Sequence, residues 1–181
     1  LALLGGAFLK IKADEVTMTR LQARQQQALR HGMDVLRSDL ATAYRDLILI
    51  AQNDHLRQSL QEEHGPSLQA LTRDLRVLAN VTPLYEQIRW IDERGLERLR
   101  LERQAGRVIA VATDQLQDKS SRYYFREAMA LKPGQLYVSS LDLNIERQFI
   151  ERPNNPTLRL AMPIADLKGQ RRGILLLNYQ A

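Results

Sequence analysis

Residues 122–126, Arg-Tyr-Tyr-Phe-Arg, place two guanidinium groups and three aromatic rings side by side, in a chain whose aromatics total one tryptophan, six tyrosines and three phenylalanines. A guanidinium can grip a carboxylate through two parallel hydrogen bonds, and neighbouring rings keep water away from that grip. On a helix, Arg122 and Arg126 share one face while Tyr123 and Glu127 share another, so the whole cluster cannot point into one pocket. Arg122 is therefore assigned to a ligand, with Tyr124 and Phe125 as walls. Arg126 is assigned to solvent. The plainer reading of Tyr124, Phe125 and Met129 is core packing.

Other chemistries find no footing. The chain has no cysteine, which removes thiol nucleophiles, thiolate metal sites and disulfides. His31, His55 and His64 lack metal-ligand spacing, and no Gly-rich phosphate loop, nucleophile elbow or histidine-centred triad occurs. We expect no enzyme, no metal and no cofactor. A net charge of +5 invites a nucleic-acid reading. Arginine and glutamate interleave, however, as in Asp-Glu-Arg-Gly-Leu-Glu-Arg-Leu-Arg-Leu-Glu-Arg from Asp92, which describes solvated faces rather than a phosphate-tracking stripe. Nucleic acid is the weakest of the partner readings.

The elements that must position the cluster follow from periodicity. Residues 1–12 are apolar and then basic, too short for the roughly 20 residues a bilayer needs. They read as the end of a truncated transmembrane helix or of a signal segment, with a frayed amphipathic start as the plain alternative. From Ala13 to Glu62 there is no proline and only Gly32, which predicts one long helix. Leu29, Met33, Leu36, Leu40, Ala43, Leu47 and Ile50 form a heptad seam on it, suited to a partner helix or to a sheet face. Gly65 and Pro66 restart a second helix to about Asn80. The segment 13–82 is thus a helical stalk, and 83–181 a separate core.

Within that core, a hairpin turning at Asp92–Gly95 and an apolar strand at Val108–Ala112 give three antiparallel strands. A short helix capped by Ser120 or Ser121 follows, ending near Leu131. Strands at Leu136–Leu143, Thr157–Asp166 and Ile174–Tyr179 complete the order, with the irregular stretch 144–155 between the first two of them. The fold class is α+β: a long N-terminal helix, then a five-stranded antiparallel sheet with flanking short helices.

The run from Asp118 to Met129, the stretch Gly134–Asn144, the proline-containing Ile150–Ile164 and the closing Lys168–Tyr179 together resemble the membrane-distal half of a double-Cache sensor. This is the PAS-like extracytoplasmic module of bacterial receptors, and the likeness extends from about residue 14 to the end. The resemblance implies a periplasmic domain anchored in the inner membrane, a homodimer paired through the long helix, and an output such as a histidine kinase, diguanylate cyclase or chemoreceptor domain elsewhere. It also implies a second, membrane-proximal domain beyond residue 181.

In amino-acid-binding members, the helix supplies an arginine for the ligand carboxylate, an aromatic, a tyrosine and an acid, and the last strand an aspartate for the ammonium. Here Arg122 stands at the arginine, Tyr124 at the aromatic, Phe125 in place of the tyrosine, Glu127 at the acid and Asn178 in place of the aspartate. Losing that charge implies a small carboxylate or other anion rather than an α-amino acid. Tyr137 and Ser139 or Ser140 on the neighbouring strand add hydrogen bonds, strand alternation admitting one serine only. Arg89, Arg94 and the 144–155 stretch are further candidates to line or cover the site. The competing reading is a module without a small ligand, whose helical seam dimerises or whose core docks a partner protein.

Overall fold

The computed structural model describes residues 2–61, 65–143, 145–146, 149–150 and 156–180, with backbone alone for residues 2–17, 19, 143, 145–146 and 149–150. The chain divides into two compact units, 1–41 and 42–181. The first belongs to helix α1 (Ala2–Ala51), and its apolar side chains Met18, Leu21, Leu29, Met33 and Leu36 are exposed. Among the described residues no helix is long and apolar enough to cross a membrane. The expected membrane or signal segment falls on 1–12, whose side chains lie outside the described residues.

The second unit begins with the last turns of α1, where Ala43, Leu47 and Ile50 are buried. The heptad seam thus changes environment along its length, from exposed at Leu29 to core at Leu47. The long helix ends earlier than its proline-free stretch predicted. Asn53 stops it: its side-chain oxygen accepts from the amides of His55 at 2.8 Å and Leu56 at 3.1 Å, starting α2 (Asp54–Ser59). An asparagine that satisfies two orphan amides of a new helix outcompetes continuation of the old one. Helix α3 (Pro66–Val81) follows, with Pro66 in its first turn.

Strands β1 (Tyr85–Ile91), β2 (Glu97–Gln104) and β3 (Arg107–Ala110) form a meander, and a 3₁₀ turn at Thr113–Gln115 leads to α4 (Tyr123–Ala130). Then come the two-residue strands β4 (Tyr137–Val138), β5 (Asp142–Leu143), β6 (Ile145–Glu146) and β7 (Phe149–Ile150), and the ten-residue strands β8 (Pro156–Ala165) and β9 (Arg171–Gln180). The sheet order is β3-β2-β1-β9-β8-β4, all antiparallel, with β5 also on β8 and β6–β7 as a separate ladder. The α+β class holds, with a larger sheet than the five strands expected. The predicted strand 136–143 is split into β4 and β5, because the Ser139 hydroxyl takes the Arg159 amide that the ladder would have used.

The two faces of the sheet differ. Helix α3 packs on β1, β2 and β3, and Arg103 of β2 donates to the Ala79 carbonyl of α3 at 2.5 Å, which fixes the face α3 covers. Leu99, Leu101, Ile88, Trp90, Leu175, Leu177, Leu160 and Met162 share that face by alternation and are buried. Each such side chain contributes about 1.5–3 kcal/mol on leaving water. The other face carries α4 over β8 and β9, where Tyr124, Phe125 and Ala128 meet Ile91, Ala161, Ile174 and Leu176.

Candidate functional site

On the α4 face the register lines up cross-strand rows. Ile91 pairs with Ile174, and Leu176 with Ala161, beneath the apolar side of α4. Two residues further along each strand the row turns polar: Glu102, Gln87, Asn178 and Arg159 are successive partners across β2, β1, β9 and β8. Arg89 and Arg100 are partners in the neighbouring row. Arg89 and Arg159 are both 2 % exposed and Asn178 is 1 %, so an entire patch of charge and amide is out of water. Burying such groups is tolerable only when they are paired.

Glu97 is the anion that pairs most of them. Its carboxylate lies 3.2 Å from Arg89 Nη1, accepts from Arg100 Nη1 at 3.3 Å and caps the Gln117 amide at 3.0 Å. Arg100 Nε also lies 3.3 Å from Glu102. Arg89 donates to Gln87 Oε1, and Asn178 Nδ2 donates to the same oxygen at 2.7 Å. Across the patch, Arg159 pairs with Asp142, which also accepts from the Tyr123 hydroxyl at 2.6 Å. Burial and this carboxylate push the Tyr123 phenol up from its ordinary pKa.

Tyr124 stands among the cations. The Arg159 guanidinium carbon is 5.1 Å from its ring centroid and that of Arg122 is 5.8 Å, both within cation–π range, while Tyr123 meets it edge-on at 5.7 Å. Burial keeps the Tyr124 phenol protonated in spite of the arginines around it. Arg122 itself is the N-cap of α4, in extended conformation, so the expected serine caps are replaced and Arg122 leaves the helical face it was to share with Arg126. Ser120 is held instead by its amide on Asp118 at 2.8 Å. Arg122 is half-buried, and apart from the Tyr124 ring its guanidinium has no hydrogen-bonding or ionic partner among the described residues. A second unspent group is Asn178 Oδ1, a buried acceptor with no partner among the described residues.

The sequence-derived candidates therefore separate. Arg122, Tyr124 and Asn178 belong to one polar cluster. Phe125 packs in the apolar cluster with Ile91 and Leu176. Glu127 is exposed and accepts from the Tyr137 hydroxyl at 2.7 Å; burial and this carboxylate raise the tyrosine's pKa. Ser139 is the buried serine and Ser140 is exposed; the Ser139 hydroxyl is spent between the Ser140 carbonyl at 2.7 Å and the Arg159 amide at 2.9 Å. Arg89 is in the cluster, whereas Arg94 is exposed on the β1–β2 turn. Most of the 144–155 stretch lies outside the described residues. Arg159, Asp142, Gln87, Glu97 and Arg100 were not singled out from sequence.

The sequence profile of the family described as bacterial histidine kinase, sensor domain, matches residues 34–181. Among curated proteins none matches the chain. Two solved structures share 28% identity at a TM-score of 0.70 over 78% of this chain. One is a domain of a Vibrio parahaemolyticus protein assigned to the sensory box/GGDEF family, of which 52% is covered. The other is the extracellular domain of vpHK1S-Z8, assigned as a histidine kinase, of which 50% is covered. The ligand-binding domain of the Campylobacter jejuni chemoreceptor Tlp3, solved with 4-methylisoleucine, shares the fold at 15% identity and a TM-score of 0.58, over 82% of this chain and 52% of its own. The chain spans about half the length of these neighbours.

Proposed function

Because the chain belongs to the bacterial histidine kinase sensor-domain family, we propose that the cluster between α4 and the sheet binds a small carboxylate at Arg122 and that occupancy is signalled through α1. One observation carries the reading. Arg122 is a half-buried cation lying against a buried ring, with no anion opposite it among the described residues. Arg89, Arg100 and Arg159 already hold acids, so Arg122 is the guanidinium left to take an outside one.

Asn178 refines the ligand. Its Oδ1 accepts nothing within the described residues, which suits a ligand that carries a hydrogen-bond donor beside its carboxylate. Structures of Tlp3 contain isoleucine and norvaline. An ammonium needs an acid, and the acids of this cluster are engaged: Glu97 by two arginines, Asp142 by Arg159 and Tyr123. A neutral donor, such as the hydroxyl of an α-hydroxy acid, fits better than an amine. Tyr124 walls the site, Phe125 anchors α4 in the apolar cluster beside it, and Glu127, Tyr137 and Ser139 act in support, Ser139 by holding the β8 backbone at Arg159.

Calorimetric titration with lactate and with propionate tests this. Lactate is expected to bind the wild type more tightly than propionate, and Arg122→Ala to abolish both titrations. Titrations indistinguishable between wild type and variant remove Arg122 from the site.

On this reading the module sits in the periplasm as part of an inner-membrane receptor. A second reading has its own support: the exposed Leu29, Met33 and Leu36 of α1 suit pairing with a second copy, with or without a ligand. A ligand at 100 times its dissociation constant stabilises by about 2.7 kcal/mol, so a flat thermal-shift response to carboxylates together with a dimer in sedimentation favours the ligand-free module.

A further inference from the structure

Two hairpin turns at one end of the sheet are built from the same pattern, Asp-x-Arg/Lys-Gly-x-x-Arg, at Asp92–Arg98 and Asp166–Arg172. In each, the aspartate Oδ1 accepts two turn amides: Arg94 at 3.0 Å and Leu96 at 2.9 Å in the first, Lys168 and Gln170 at 2.9 Å in the second. In each, the other oxygen faces the arginine six residues on, at 3.9 Å for Arg98 and 2.9 Å for Arg172. These turns and the end of α2 enclose a cleft of about 560 Å³, away from Arg122 and on the Trp90 side of the sheet. That volume lies in the range of small-molecule sites.

The lining is specific in what it leaves unspent. Asp166 is saturated by its turn and by Arg172, Asp92 has Oδ1 taken by two turn amides and Oδ2 facing Arg98 at 3.9 Å, and the Trp90 indole N–H donates to the Arg172 carbonyl at 3.4 Å, leaving the ring as an apolar wall beside Leu60. Arg172 uses Nε and Nη2 on Asp166 and Gln170, while its Nη1 has no partner among the described residues. The Lys168 ammonium has none either. At the floor, the Ser59 hydroxyl has no partner among the described residues although Ser59 is only 3 % exposed. A buried hydroxyl without a partner is costly and needs an occupant to satisfy it. The exposed Glu93 at the rim disfavours a second negative charge on that occupant.

We propose that this cleft is a second ligand site, taking a monocarboxylate with an apolar or aromatic body that lies against Trp90 and Leu60, its carboxylate reaching Arg172 and Lys168. The site is independent of Arg122.

Trp90 is the sole tryptophan of the chain, so its fluorescence reports on the cleft directly. The full chain is titrated with 3-phenylpropionate, 3-phenylpropan-1-ol and 3-phenylpropylamine, which share a ring and differ in head group. A saturable Trp90 change is expected with the acid, weaker by at least about tenfold for the alcohol and the amine, the loss of a charge-assisted hydrogen bond pair. Lys168→Gln, on an exposed turn, is expected to weaken the acid several-fold, and Arg172→Gln more so. Arg122→Ala leaves the titration unchanged, which separates this site from the α4 cluster. No saturation with the acid, equal binding of the amine, or an acid titration insensitive to both Lys168→Gln and Arg172→Gln overturns the proposal.

Discussion

Asn178 on β9 donates its Nδ2 to Gln87 Oε1 on β1 at 2.7 Å, and the orientation of both amides is dictated by a third residue. Arg89 can only donate, and it donates to the same Gln87 oxygen. Gln87 must therefore present oxygen, Asn178 must present nitrogen, and Asn178 Oδ1 is left facing away. The position cannot take an aspartate without rearrangement. Asn178→Asp would set a carboxylate oxygen against Gln87 Oε1, two buried acceptors with no proton between them. We expect it to destabilise the domain by about 1–3 kcal/mol at neutral pH, read by urea denaturation, and by less at acid pH where the new carboxyl can donate.

Glu97 is shared by Arg89 and Arg100, and its side chain is fully enclosed. Removing its charge takes from Arg89 and Arg100 the buried carboxylate they share, Arg100 keeping Glu102 and Arg89 the neutral Gln87 oxygen. Glu97→Gln is expected to cost about 3–5 kcal/mol, the scale of a broken buried ion pair, whereas Arg57→Gln, which breaks the exposed pair with Asp54, should cost less than about 1 kcal/mol. Chemical denaturation of the two variants checks both figures.

Arg100 and Arg159 explain why part of the candidate site escaped sequence reading. Each alternates with apolar residues, as in Leu99-Arg100-Leu101 and Leu158-Arg159-Leu160, which is the pattern of a strand with one wet face. That face is covered only once α4 packs on β8 and β9 and β5, added beside β8, brings Asp142 to Arg159, a tertiary event that local periodicity does not encode. Arg122 and Tyr124 were legible because their density along the chain is unusual in itself, and the helix that carries them was placed within two residues. The break at Asn53 was missed because nothing but a side-chain cap interrupts the helical pattern there. The β1–β2–β3 meander was legible as hairpins; the β1–β9 pairing that closes the sheet was not, nor was the split of 136–143, which depends on a hydroxyl of Ser139 meeting an amide of β8.

Gly173 pairs with Ile164, beside the irregularity in the β8–β9 register between Ile164 and Ala165, with φ of +111° and the Ile91 carbonyl only 1.9 Å from where a Cβ would stand. An added methyl meets backbone that cannot swing aside. Gly106, at φ +77°, has open space around the same position. Gly173→Ala is expected to be among the most damaging single substitutions, above about 3 kcal/mol or preventing folding. Gly106→Ala should cost only the strain of its backbone conformation, about 1–2 kcal/mol. Thermal unfolding of the pair separates clash from strain.

Asp74 on α3 joins the helical layer at Asn53 and His55: it accepts from Asn53 Nδ2 at 2.9 Å and lies 2.8 Å from His55 Nδ1. The hydrogen bond from Asn53, then that from His55, hold its carboxyl below the ordinary value of 3.8, against a small opposing effect of burial. A carboxylate whose pKa is lowered on folding adds stability that is complete above pH 3.8 and disappears as pH falls through the lowered value. Asp74→Asn should therefore reduce stability at neutral pH and flatten the acid limb of the stability curve below about pH 4, where the wild type is losing the same contribution. The two oxygens of the carboxylate are half-exposed, so the effect is small. Asn53→Ala removes the cap of α2 as well as this bond and should cost more, about 1–2 kcal/mol at every pH. Equal acid limbs for wild type and Asp74→Asn would show that the Asn53–Asp74–His55 contact contributes nothing to joining α2 and α3.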